Sequence, residues 1–222
     1  MAWHYVTTDS AGWTPVYSAD QQDNAAEIWS TLVNVQGWTE EAAAAVLGNF
    51  QVESYINPGQ WEIGYNYSMS RGMGLGQWTP ATKVSNYIGS TNRDDMANGS
   101  LQMQLLINTP SQYRTTYLNP DGSSTYYHET GLPYLVDMDD FSHSTASIID
   151  LTKVWAICWE RPGSTYYTNS ISDRISHANH WYTVFHGSPP GPPTPPGPTP
   201  PHPYPTDDEY LLFAALKLMH ML

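Results

Sequence analysis

One stretch of the chain, residues 44–80, concentrates the side chains that can do chemistry: AAVLGNFQVESYINPGQWEIGYNYSMSRGMGLGQWTP. Glu53 falls at the C-terminal end of a helical pattern, where the macrodipole leaves partial negative charge. That field favours a protonated carboxyl, and desolvation by Phe50, Trp61 and Trp78 would act in the same direction. An acid that donates a proton to a departing oxygen near neutral pH needs such surroundings. A Glu at a helix end is commonplace, so position alone does not make it a catalyst. The glycine-rich run Gly74-Leu75-Gly76-Gln77 offers a complementary wall. Backbone without side chains lets a ligand approach closely, and the Gln77 amide offers both a donor and an acceptor. The run is no dinucleotide loop, because Gln77 stands where that fingerprint needs glycine and no phosphate-binding partner follows.

Glycosidases with two carboxylates hold them ~5 Å apart when retaining and ~6.5–9.5 Å apart when inverting. Glu62, Asp137, Asp139 and Asp140 are the candidates for a second carboxylate. Glu62 is favoured because it lies beside Trp61 in an expected hairpin. Glu160-Arg161 reads as an ion pair or a carbonyl-capping arrangement at a helix end rather than as catalytic machinery. His177 and His180 are spaced to share a helix face, but no third ligand follows at a recognisable spacing, so no metal and no cofactor are expected. Cys158, among Trp155, Ile157 and Trp159, reads as a buried thiol. There is no Gly-x-Ser-x-Gly elbow and no cysteine with a well-placed histidine, which argues against a peptidase or amidase.

The elements that must position these residues can be read from periodicity. A lead-in (1–18) precedes a helix starting near Ser18, with Ala25, Ile28, Trp29 and Leu32 on one stripe and Gly37 past its end. A second helix opens at Thr39, a capping residue, with Glu40 and Glu41 in its first turn and Trp38 stapling back onto Ala43. Ala43, Val46, Leu47 and Phe50 form its buried face. Residues 59–78 lack helical period and suggest a short hairpin or a lobe of loops. Thr79-Pro80 restarts a helix with a cap and a first-turn proline, and Gly89 stops it. Further helices are expected over 101–107, 145–160 and 171–186, with residues 109–142 mostly loop. The fold class is therefore mostly α (α+β), a helical domain over 19–187 with a small β-hairpin lobe. Residues 188–205 form a proline-rich spacer. Residues 206–222 follow as an apolar helix behind a Thr206–Glu209 capping pattern. A lone helix of this length is marginal in water and must dock on its own domain, on a copy of itself or on a larger assembly.

Composition narrows the ligand. Nine Trp and sixteen Tyr suit either a core or a cleft for sugars or bases. Eight Lys and Arg against twenty-one Asp and Glu give a net charge of −13, which repels a phosphate backbone, so nucleic acid is excluded as a partner. The same acidity is odd for an enzyme that must find an anionic wall by diffusion, and it matters less if a carrier delivers it. Cys158 is the only cysteine, so no disulfide forms within the chain. The N-terminus carries no secretory signal pattern, and no run is long enough to span a bilayer.

Gly48-Asn49-x-x-x-Glu53-Ser54-x-x-Asn57-Pro58 followed by Gly74-Leu75-Gly76-Gln77-Trp78-Thr79 resembles the phage tail lysozyme family, relatives of goose-type lysozymes and lytic transglycosylases. Trp159-Glu160-Arg161-Pro162-Gly163 and the Arg174-x-x-x-Ala178 spacing resemble that family's closing helices, and the match covers roughly residues 22 to 186. The resemblance implies a lysozyme-like fold with Glu53 as general acid. Residues 74–79 would then form a cleft wall in which Gln77 and Gly76 meet the sugar and Trp78 stacks or seals. Trp61 and Tyr65 would be further substrate contacts. It also implies cleavage of the β-1,4 bond between N-acetylmuramic acid and N-acetylglucosamine in bacterial peptidoglycan, with a single indispensable Glu as the alternative to a pair. The implied setting is a phage virion, at the tail tip or elsewhere in the entry apparatus, with residues 206–222 binding other virion proteins or a second copy. A free endolysin and a non-catalytic virion protein of the same fold are the rivals.

Overall fold

The computed structural model describes residues 3–10 and 17–187, and over these the chain is mostly helical. Helix α1 (Ala19–Trp29) starts on a complete capping box, in which the Ser18 hydroxyl accepts from Gln21 N–H and the Gln21 amide accepts from Ser18 N–H. It runs on as a π-helical turn (Ser30–Val35), and Gly37 supplies the left-handed backbone (φ 74°) that breaks it. Thr39 then caps α2 (Glu40–Ser54), while its own hydroxyl donates to the Ser144 carbonyl at 2.7 Å.

Helix α2 is the axle of the fold. Every residue from 42 to 51 is buried, which a run of four alanines followed by Val, Leu and Gly permits because small side chains admit neighbours on all sides. Helix α7 (Ile148–Trp155) and α8 (Ser164–Phe185) pack along it, and α1 closes a third side. Tyr55 and Ile56, both left-handed (φ 56° and 58°), turn the chain sharply out of α2 one residue after Ser54. The shorter helices α3 (Thr82–Ile88), α4 (Arg93–Met96) and α5 (Gly99–Asn108) follow the glycine-rich loop, and α6 (Met138–Ser142) ends a long irregular connection.

Three expectations need correction. The β-hairpin lobe is a lobe of turns. Only an antiparallel bridge between Trp61 and Met73 survives, flanked by Glu62 N–H to Gly72 O (2.9 Å) and Gly74 N–H to Gln60 O (2.7 Å). Gly64, Asn66 and Tyr67 all adopt positive φ, coiling the connection so that the strands cannot extend. Thr79 does not cap α3: its hydroxyl donates to the Gln77 carbonyl (3.1 Å), and the helix opens from Ala81 without a side-chain cap. Helix α8 begins seven residues before the expected 171, at Ser164. Its buried stripe, Tyr167, Ser170, Arg174, Ala178 and Trp181, carries two polar residues, so hydropathy recognises only its later half.

The lead-in is integrated where it is described. Its backbone pairs with the lobe through Thr8 N–H to Gly59 O and Trp61 N–H to Thr8 O, and the Asn57 amide brackets Val6 through both its oxygen and its nitrogen. The proline-rich spacer at 188–205 and the apolar segment at 206–222 lie outside the described residues. Among those residues no helix is long and apolar enough to cross a membrane.

Candidate active site

Glu53 stands one helical turn beyond Asn49, so the two side chains leave the same face of α2. That face meets α8 at very short range, and Gly48 allows it. A Cβ there would lie 2.4 Å from the Arg174 carbonyl oxygen and 2.6 Å from the Ala178 Cβ. The close approach brings Arg174, which is wholly buried, onto the α2 carboxylate. Its Nη2 donates to Glu53 Oε1 in a tight ion pair, its Nη1 to Asn49 Oδ1 (2.7 Å) and its Nε to Ser170 Oγ (3.2 Å). Asn49 Nδ2 bonds the Ala45 and Thr152 carbonyls, which fixes the amide so that its oxygen must face the guanidinium. The Glu53 side chain keeps 14% of its surface while Arg174 keeps none, so the carboxylate reaches from a buried cation toward solvent.

A second carboxyl joins this cluster. Glu160 ends the π-helical turn (Ala156–Glu160) that continues α7, and its Oε1 accepts from the Trp155 indole N–H at 3.1 Å. The residue is partly buried. Removal from water, and then the negative charge of Glu53, push its carboxyl well above the usual carboxylate range, opposed by Arg174, the indole bond and Arg161. Of the two arrangements expected for Glu160-Arg161, an ion pair or a carbonyl cap, the two side chains form no ion pair and Arg161 bonds a carbonyl. Arg161 turns away in a left-handed conformation (φ 51°) and donates to the Gln112 carbonyl, while Glu160 faces inward. Tyr166 covers the outer side, its half-exposed ring 5.7 Å from the Arg174 guanidinium carbon, and its hydroxyl pKa is raised by burial and by the charge of Glu53.

The glycine-rich loop closes the remaining side. Gly76 is buried; a Cβ there would sit 3.1 Å from the Phe50 ring and 3.8 Å from Glu160 Oε1. The loop is held by Ser54 Oγ, which donates to Leu75 O (2.9 Å), and by the buried Gln102. The Gln102 amide accepts from Leu75 N–H (2.9 Å) and donates to Pro58 O (2.8 Å) and Met96 O (2.7 Å). Gly74 is left-handed (φ 83°), and any Cβ there would strike the Gln102 side chain.

Of the residues singled out from the sequence, Glu53 and Gly76 are brought together around Glu160. Trp61 and Trp78 are almost completely buried, packed against Tyr67 and Phe50 respectively, so they seal the wall and offer no face for stacking on a sugar. Gln77 lies at positive φ, and its amide nitrogen donates to Gln60 O and Gly74 O (3.1 Å each), a bracing position within the turn. Tyr65 is exposed, its ring under the Arg71 guanidinium at 3.9 Å. Glu62 is a local brace: its carboxylate accepts from Gly72 N–H (2.9 Å) and faces Arg71 at 3.7 Å. The carboxylate beside Glu53 is instead Glu160.

His177 and His180 both pack against Tyr17, one by a hydrogen bond and one by stacking, and no group of three metal-ligating side chains occurs among the described residues. Cys158 is buried, which pushes its thiol up to about 12.

The sequence pattern from 23 to 185 matches the family model described as phage tail lysozyme, a span that contains Glu53, the loop, Glu160 and Arg174. The chain belongs to the phage tail lysozyme family. Among its relatives is Morphogenesis protein 1 of Bacillus phage B103, 28% identical over 152 residues, which cover 68% of this chain and 36% of that protein. The chain thus spans only about a third of that relative's length. Sequence reasoning carried Glu160 and Arg174 only in the family's closing motifs, with Glu160 read as structural and Arg174 not paired to Glu53, and it did not single out Gln102.

Proposed function

We propose that this chain cleaves the glycan strands of bacterial peptidoglycan at the β-1,4 bond between N-acetylmuramic acid and N-acetylglucosamine, with Glu53 presenting the proton to the departing oxygen. The observation that carries the reading is a carboxylate that reaches from a buried polar cluster toward solvent, in a member of the phage tail lysozyme family. Arg174 and Asn49 hold Glu53 in one orientation, which is the positioning a proton donor needs. Gly76 lets the loop close on Phe50 and Glu160 without a side chain between them, and the buried Trp61 and Trp78 exclude water from the loop. Gln77 and the exposed Tyr65 are the loop residues that would meet flanking sugars. Water attack completes hydrolysis, whereas attack by the muramic 6-hydroxyl gives an anhydro sugar.

The family and the phage relative support a virion setting, in which the enzyme is carried to the wall and opens it locally during entry. Purified sacculi incubated with wild type and Glu53→Gln test the chemistry, with mass spectrometry of the released muropeptides to read the product. Wild type should release sugar ends and Glu53→Gln should lose about 10²-fold or more of that rate. Equal release by the two proteins, or none from either, rejects the reading.

A further inference from the structure

Glu53 pairs with Arg174, and Glu160 acts on the same cation by charge. Arg174 commits Nη2 to Glu53, Nη1 to Asn49 and Nε to Ser170, while the Glu160 oxygen beside Gly76 receives only the neutral indole N–H of Trp155. The charged and titratable groups around Glu160 are Glu53 from α2, Arg174 and Tyr166 from α8, and Arg161 next to it in the chain. On the loop side its Oε1 lies 3.8 Å from where a Gly76 Cβ would stand. Arg161 is bonded to the Gln112 carbonyl and Arg174 to Glu53, and both cations act on Glu160 by charge against its burial and the charge of Glu53. Two carboxylates sharing one countercharge away from water do not both ionise, and the one lacking the guanidinium bond keeps the proton.

We propose that Glu160 is the proton-holding partner of Glu53, positioned by Trp155 and by the shared Arg174, so that the two acids together bring one dissociable proton to glycan cleavage. This rests on the glycosidase reading above. In the cleavage step that proton goes to the departing oxygen as the C1–O bond breaks with its electron pair moving to oxygen. The attacking water adds its hydroxide to C1 and returns its own proton to the acid pair, restoring the resting site. Glu160 is in this sense a positioning residue: it acts through Glu53, and the sugar need not touch it.

The proposal separates from a merely structural role through pH. With Glu160→Gln, a near-isosteric change that can still accept from the Trp155 indole, Glu53 remains paired to Arg174 and the extra proton is gone. Sacculus cleavage at neutral pH should fall by about tenfold or more. The alkaline limb of kcat/KM should move about one pH unit or more to the acid side, with KM little changed. An active Glu160→Gln protein with the wild-type pH profile overturns the proposal.

Melting gives a readout independent of activity. A carboxyl that holds its proton more tightly in the folded state loses stability for the fold as pH rises above the usual carboxylate range. Wild type and Glu160→Gln should therefore melt together near about pH 4, and the variant should become the more stable of the two as pH rises. If the variant does not fold, carboxyl-carbon NMR of the wild type decides the matter. One Glu should titrate well above the ordinary range, and its midpoint should fall in Glu53→Gln. Absence of any such Glu overturns the pair. Should wild type cleave no sacculi at any pH, the glycosidase reading fails, and the NMR titration still decides whether the acids share a proton.

Discussion

The helical and looped halves of the site hold their polar side chains in opposite ways. Between α2 and α8, Arg174 bonds Asn49 and Glu53 across elements distant in sequence, bonds that depend on how the two helices pack, while Ser170 braces it from within α8. In the lobe at 59–79, Glu62 and Gln77 bond backbone of their own lobe, and Arg71 stacks on Tyr65 within the same turn. The helical half therefore positions charge, and the looped half positions backbone. Buried ion pairs are costly to break because the remaining partner stays desolvated, whereas exposed pairs contribute little. The two halves should respond to substitution accordingly.

The largest effect is expected at Arg174. Replacing it with Ala leaves Glu53 without its countercharge and the Asn49 oxygen without its donor, at a cost of about 3–5 kcal/mol in urea denaturation. A loss below about 1 kcal/mol would mean that the helical half is as weakly coupled as the loop. Next is Gly48→Ala, whose methyl group meets backbone and cannot be relieved by a side-chain rotation. It should cost about 1–3 kcal/mol by overpacking and lower cleavage as well, because it pushes α8 and Arg174 away from Glu53. Full activity in this variant would show that the α2–α8 contact does not set the geometry. The smallest effect is expected at Glu62→Gln, where a one-third-exposed carboxylate loses a 3.7 Å partner but keeps an acceptor for Gly72 N–H. Stability should change by less than about 1 kcal/mol and activity by no more than about twofold. A collapse of activity there would restore Glu62 as a working carboxylate and place chemistry in the loop.

Local signals were readable where the cause is local. Ser18 with Gln21, Thr39 and Gly37 start or stop helices through bonds to residues within a turn, so these boundaries follow from residue type and spacing. Glu53 at the end of α2 and the absence of side chains along the glycine loop were legible for the same reason. The hairpin was misread because apolar and aromatic residues between glycines suit either strands or tight turns. The left-handed backbone at Asn66 and Tyr67 decides for turns. The resemblance implied Trp61 as a substrate contact and Trp78 as a residue that stacks or seals, and packing against Tyr67 and Phe50 turned both inward.

By itself, the sequence determined that a mostly helical domain carries an acid at a helix terminus before a glycine-rich wall. Those properties arise from capping, period and glycine's missing side chain, all of which act over a few residues. Only the tertiary structure decided that Arg174 pairs with Glu53 and that the neighbouring carboxyl is Glu160, not Glu62. Charge interactions in a buried site depend on distance and on exclusion of water. Both are set by α8 closing over Gly48, a contact between segments far apart in the chain.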